Sequence, residues 1–206
     1  MIITIEGIDG AGKNTLVTAI REQVQADVLS FPRYDVSLHA QLAADALHGR
    51  MGDLTDSAYA MATLFALDRH GAKEQLERYV DSSEILLLDR YVASNAAYSA
   101  ARLGDDAVMD WVHELEFGRL GLPRPDLQVL LDTPPETASQ RARMRAEQDS
   151  ARERDRYERD AGLQQRTYDA YRCLADRGWA GRWLVTTDAG VILQEITSRR
   201  PTDPKD

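Results

Sequence analysis

Gly7 to Thr15 read GIDGAGKNT, and this stretch carries the clearest chemistry in the chain. Gly7, Gly10 and Gly12 let the main chain around Ala11 turn its N–H groups inward, a cradle for phosphate oxygens. Lys13 reaches the outer phosphates, and a helix starting there adds partial positive charge. The flanks agree. Ile2, Ile3 and Ile5 belong to an apolar β-branched run with the look of a buried strand. Leu16, Val17, Ile20 and Val24 follow at helical spacing. Strand, glycine loop and helix start are the context that the GxxxxGK[ST] phosphate loop demands. One letter departs from it: Asn14 stands where a hydroxyl normally holds Mg²⁺, and the hydroxyl comes one residue later, at Thr15.

Further reactive groups fall at strand ends and on helix faces. Residues 27–31 read as a second strand ending in Phe31-Pro32-Arg33-Tyr34, where open α/β sheets place ligand contacts. The apolar run 84–88 delivers Asp89-Arg90-Tyr91. There a carboxylate suits magnesium and an arginine suits phosphate. Phe65 and Arg69, four apart, put a stacking ring and a hydrogen-bonding fork on one helix face. Asn95 and Tyr98 share a face of the helix that Ser94 opens. Seven arginines lie between Arg141 and Arg159, among them Arg145 and Arg152, alternating with acids. The polar stretch Glu147 to Ala151 reads as a mobile loop able to close over an anion.

These groups need a frame. Apolar runs near residues 2–5, 27–31, 84–88, 126–132 and 182–185 give five strands. Between them fall helical stretches: 37–47, one capped by Asp53 or Thr55 and running toward Tyr79, 105–119, one opened by Pro135, and one through Tyr157, Leu163, Tyr171 and Leu174. A last helix spans Val191 to Ile196. Strands alternating with helices imply a three-layer α/β fold around a five-stranded parallel sheet. One domain over residues 1–197 is expected, with a lid at about 141–156 and a disordered tail at 198–206.

A net charge of −9 over 206 residues argues against a nucleic-acid surface. No apolar run is long enough for a membrane span, and Met1 leads straight into a strand, so a cytoplasmic protein without a signal peptide is expected. Cys173 stands alone, without a disulfide partner or a cysteine zinc site. The four histidines lack metal-ligand spacing and read as helix-surface residues.

GIDGAGK, FPRY, the Phe65-to-Arg69 helix, DRY followed by SN and Tyr98, and the LLD strand before an arginine lid together resemble the thymidylate kinases. The likeness runs over the whole chain except the tail. It implies the P-loop nucleoside-monophosphate-kinase fold and transfer of the γ-phosphoryl of ATP to dTMP. The loop from Gly7 to Thr15, with Lys13, would hold ATP. Asp9 would meet the acceptor's sugar or its metal, and Tyr34 and Arg90 its phosphate. Phe31 would belong to the dTMP pocket, Phe65 would stack on thymine, and Arg69 and Asn95 would bond the base edge. Tyr98 would pack under the deoxyribose, and Tyr157 and Glu158 would close that side. With Gly10 where one branch of the family carries arginine, the sequence is similar to the branch that draws arginine from the lid, here Arg145 and Arg152. Mg²⁺ would rest on Asp9, then Glu158, then Asp89 through water. A homodimer through the helix after Ser57 is implied. A deoxynucleoside kinase and a non-catalytic nucleotide-binding module are the alternatives.

Overall fold

The computed structural model describes residues 1–148, 157 and 160–199. Its sheet is five-stranded and parallel: β1 (Ile2–Glu6), β2 (Asp27–Ser30), β3 (Leu86–Asp89), β4 (Leu127–Leu130) and β5 (Trp183–Val185), in the order β2-β3-β1-β4-β5. Buried along its whole length, β1 is the centre, with Ile3 opposite both Leu87 and Leu127. The edge strands β2 and β5 are only partly covered. Because the chain leaves β1 first to one side and later to the other, a crevice opens at the carboxyl end of β1.

The helices are α1 (Lys13–Arg21), α2 (Leu38–Leu47), α3 (Ala58–His70), α4 (Lys73–Glu77), α5 (Val92–Leu103), α6 (Ala107–His113), α7 (Pro135–Gln148), α8 (Ala161–Asp176) and α9 (Ala189–Arg199). The β1-to-β2 crossover runs against the direction of the others, so right-handed connections put α1 on the opposite sheet face from α2 to α8. The packing agrees: α1 meets α9, while α5 meets α3, α6 and α8.

Several element boundaries differ from expectation for local reasons. The cap of α3 is Ser57, whose Oγ accepts from the Ala60 N–H at 3.1 Å, rather than Asp53 or Thr55, which lie beside or within a short 3₁₀ turn, Leu54–Asp56. The helix also does not run unbroken to Tyr79. It stops at Gly71, where a Cβ would lie 2.8 Å from Arg33 Nη2. That guanidinium cannot swing away, since Asp68 holds Arg33 by Nε at 3.0 Å and by the main-chain N–H at 2.9 Å. Arg33 therefore ties the FPRY turn to α3 and is not a ligand arm.

The expected 105–119 helix changes character after His113, where a π-helical segment, Glu114–Arg119, begins. Glu147 and Gln148 continue α7, so the expected loop does not begin there, and residues 149–151 lie outside the described ones. Likewise α9 carries Ser198 and Arg199 in helix, against the expected tail, of which 200–206 lie outside. His113 packs edge-on to Phe117 and Trp179 at 5.3 and 5.6 Å, and burial lowers its pKa, so it is no plain surface residue.

Candidate active site

The loop between β1 and α1 borders a cavity of about 1400 Å³. Gly10 sits in the left-handed region (φ +84°), and a Cβ there would lie 2.1 Å from the Ala138 carbonyl oxygen of α7. Any side chain at position 10, arginine included, would drive α7 off the loop. Ala11 O accepts from Thr133 Oγ1 at 3.0 Å and from Arg141 Nη1 at 3.4 Å, so α7 and the turn before it clasp the phosphate loop. Lys13 is buried, with Nζ donating to Gly7 O and Ile8 O at 3.3 and 3.1 Å. Burial and the nearby Arg90 push its pKa down to about 8, against the pull of Asp9, Asp89 and Glu6. Asn14 and Thr15 are exposed on the cavity wall.

Opposite the loop, α3, α5 and the π-helical segment build a second wall. Phe65 and Arg69 of α3 and Asn95 of α5 line it. Arg69 is not a free arm. Glu116, fully buried, accepts from Arg69 Nε at 2.5 Å and Nη2 at 2.7 Å. Burial would lower the guanidinium's pKa, but Glu116 outweighs it and the net shift is upward. Asn95 Nδ2 donates to Ala62 O at 2.9 Å and to Glu116 Oε1 at 2.7 Å. Two acceptors on one nitrogen settle the amide's orientation. The wall is thus left with Arg69 Nη1 as donor and Asn95 Oδ1 as acceptor. Glu116 escaped the sequence reading; its signal was a lone acid within a helix face, which periodicity assigns to solvent.

Between the walls stand Asp9, Arg90 and Tyr98. Arg90 adopts φ +69° directly after β3, and its Nη2 bonds Asp9 Oδ1. Tyr98 Oη donates to Asp9 Oδ2 at 2.7 Å, and the Arg90 guanidinium lies 5.4 Å from the Tyr98 ring centre. Burial pushes Asp9 upward, yet Arg90, Lys13 and the Tyr98 hydroxyl together hold its carboxyl well below the usual carboxylate range. Burial and then Asp9 push the Tyr98 phenol well up. Tyr157 stacks on Tyr98 (6.1 Å, 17°), with Arg102 5.0 Å above the Tyr157 ring. Arg102, which sequence reasoning missed, also bonds Thr55 O.

Tyr34 is exposed at the rim, and Phe31, core-buried against Tyr91, reaches the cavity from β2's end. Asp89 is the last residue of β3, and its buried Oδ1 has no hydrogen-bond partner among the described residues. An orphaned carboxylate oxygen on a residue that lines the same cavity as Lys13 and the exposed Thr15 suits a hydrated divalent cation. Both Asp9 oxygens are already engaged, so Asp9, expected as the leading metal group, is the less open of the two. Arg145 lies on α7, whereas Arg152 and Glu158 lie outside the described residues.

A glycine phosphate loop at the switch point of a parallel sheet, facing a wall lined by Phe65, Arg69 and Asn95, defines the P-loop nucleoside-monophosphate-kinase fold. The thymidylate kinase family profile matches residues 5–191. A thymidylate kinase of Mycobacterium tuberculosis is 55% identical over 193 residues, covering 90% of either chain. One from Paraburkholderia xenovorans is 35% identical over 167 residues, 77% of this chain and 75% of its own. The solved thymidylate kinase of Candida albicans, 20% identical, superposes with a TM-score of 0.71 over 96% of this chain and 89% of that one, a likeness of fold. This chain belongs to the thymidylate kinase family.

Proposed function

We infer that the chain transfers the γ-phosphoryl group of ATP to dTMP, giving dTDP for dTTP synthesis. The observation that carries this is the second wall: a donor on Arg69 beside an acceptor on Asn95, next to the Phe65 ring. Thymine presents a carbonyl and an imide N–H in that order. Cytosine presents the reverse, leaving both buried groups unpaired at roughly 1–3 kcal/mol each.

In this reading Lys13 and the loop amides hold the ATP phosphates. Tyr34 and Arg90 hold the acceptor phosphate, and Asp9 fixes Arg90 while facing the sugar. Tyr98, stacked under Tyr157, packs against the deoxyribose. Catalysis is positioning and charge neutralisation, with Arg145 and Arg152 adding positive charge from the lid at about 141–156. Mg²⁺ would be held through water at Asp89, with Asp9 and Glu158 further out, and would neutralise the transferring phosphates. Residues 1–197 form one kinase domain in this reading. A homodimer through α3 rests on Tyr59, exposed on that helix and edge-on to Trp111 at 4.8 Å. No helix among the described residues is long and apolar enough to cross a membrane; the compartment assigned in this reading is the cytoplasm.

A coupled ADP-release assay across dTMP, dCMP, dGMP and thymidine tests the assignment. Catalytic efficiency for dTMP should exceed that for dCMP by at least about tenfold, with thymidine inert. Equal use of dCMP would refute the pocket reading, and preferred use of thymidine would favour a deoxynucleoside kinase.

A further inference from the structure

Glu6, the last residue of β1, is fully buried and does not line the cavity. Its Oε1 accepts from the Tyr91 N–H at 2.9 Å, and its Oε2 accepts from Ser94 Oγ at 2.7 Å. Tyr171 Oη, reaching in from α8, lies 3.3 Å from Oε2 and 2.6 Å from Ser94 Oγ. Arg90 Nη1 donates to both hydroxyl oxygens, at 3.3 Å to Ser94 and 3.2 Å to Tyr171.

The direction of these bonds follows from the donor inventory. A guanidinium only donates, so both hydroxyls accept from Arg90 and each must pass its own proton elsewhere. Ser94 sends its proton to Glu6. Tyr171 sends its own to Ser94 or to Glu6. The Tyr91 amide also only donates. Every proton in the cluster therefore runs toward Glu6, and the terminus has to accept twice and donate nothing. The main chain adds a second demand. Arg90 sits at φ +69°, which side-chain-bearing residues rarely adopt, and two bonds pin that turn: Arg90 N–H to Ile5 O at 3.1 Å and Tyr91 N–H to Glu6.

We propose that Glu6 is a positioning residue for the acceptor phosphate: through Ser94 and Tyr171 it fixes the Arg90 guanidinium, and through the Tyr91 amide it fixes the turn that presents it. This rests on the reading of Arg90 as the acceptor-phosphate ligand. Glu6→Gln keeps the shape but replaces one acceptor by a donor, so one branch of the cluster meets a proton head-on. Glu6 does not line the cavity, so its loss reaches the acceptor phosphate through where Arg90 points.

The test is steady-state kinetics on Glu6→Gln, Ser94→Ala, Tyr171→Phe, Arg90→Lys and the Glu6→Gln/Arg90→Lys double variant, varying dTMP and ATP separately. Glu6→Gln should raise KM for dTMP by about tenfold, the scale of a small misplacement of a binding group, and leave KM for ATP within about twofold. Tyr171→Phe should move the dTMP value in the same direction, by about threefold. In the Arg90→Lys background Glu6→Gln should add less than about twofold, because the guanidinium it positions is gone. An unchanged dTMP KM in Glu6→Gln, equal changes for both substrates, or full additivity with Arg90→Lys would overturn the proposal. Should Glu6→Gln fail to fold, Ser94→Ala and Tyr171→Phe carry the same test, and wild-type dTMP KM in both overturns it. Arg90→Lys with wild-type dTMP KM would instead overturn the Arg90 reading, and the proposal with it.

Discussion

Lys13 and Arg69 are both buried cations on one cavity, and their surroundings treat them oppositely. Lys13 is met by two main-chain carbonyls at more than 3 Å, and burial drags its pKa from 10.5 to about 8. Arg69 is met by both oxygens of Glu116 at 2.5 and 2.7 Å and is held more firmly charged than a free arginine. Asp9, Asp89 and Glu6 act on Lys13 without forming an ion pair with it among the described residues, so a phosphate bound there would supply a direct partner that the fold withholds. The facing wall keeps a finished ion pair, which in the proposed function would orient a base without being altered by it. One side is built to be completed by its ligand, the other to be rigid before its ligand comes.

The largest effect should come from the charge that completes the loop side. Replacing Arg145 and Arg152 together by alanine should lower the turnover number by about 10³. A loss of only a few-fold in a saturated ATP–dTMP assay would mean that the loop neutralises the phosphates unaided.

Next comes a pair of substitutions whose activity and stability should diverge. Lys13→Met should cut turnover by about 10²–10³, while its urea midpoint stays level or rises because an unpaired buried charge is gone. Glu116→Ala should cost about 3–5 kcal/mol of unfolding free energy by leaving Arg69 uncompensated, and should weaken dTMP binding. Urea melts of the two variants check this, and a destabilised Lys13→Met would erase the contrast between the walls.

A smaller effect concerns the metal. Asp89→Asn should raise the Mg²⁺ concentration for half-maximal rate about tenfold, equivalent to about 1.4 kcal/mol, whereas Asn14→Thr should shift it little. A tenfold tightening by Asn14→Thr would return the metal to the loop.

The smallest effect is a pH dependence confined to the loop. Lys13's folded pKa is lowered, so between about 8 and 10.5 the unfolded state binds more protons than the folded one. The burial penalty is therefore fully present below pH 8, and stability rises with pH through that window. ATP phosphates pull the pKa back up, so ATP binding should take up a proton and weaken several-fold, within about tenfold, from pH 8 to pH 9. Calorimetry in buffers of different ionisation enthalpy reads the proton directly. A flat ATP affinity across that interval would mean that Lys13 titrates as in water.

The residues that were legible are those whose job is local. Gly7 to Lys13 shape their cradle from consecutive backbone angles, the apolar runs mark β1, β3 and β4 one strand at a time, and Phe65 with Arg69 share a face at helical spacing. That much, with the family they resemble, the sequence determined by itself. What only the tertiary structure decided are pairings between distant positions: Arg69 with Glu116, 47 residues on, and Glu6 with Tyr171, 165 residues on. Gly71, where α3 ends, belongs here too, because the space that a Cβ would take is held by Arg33 from the turn after β2. Helical and strand periods report which face of an element is buried. They carry nothing about which buried carboxylate meets which donor, since that is fixed by packing, where an unpaired polar group costs more than any local propensity returns.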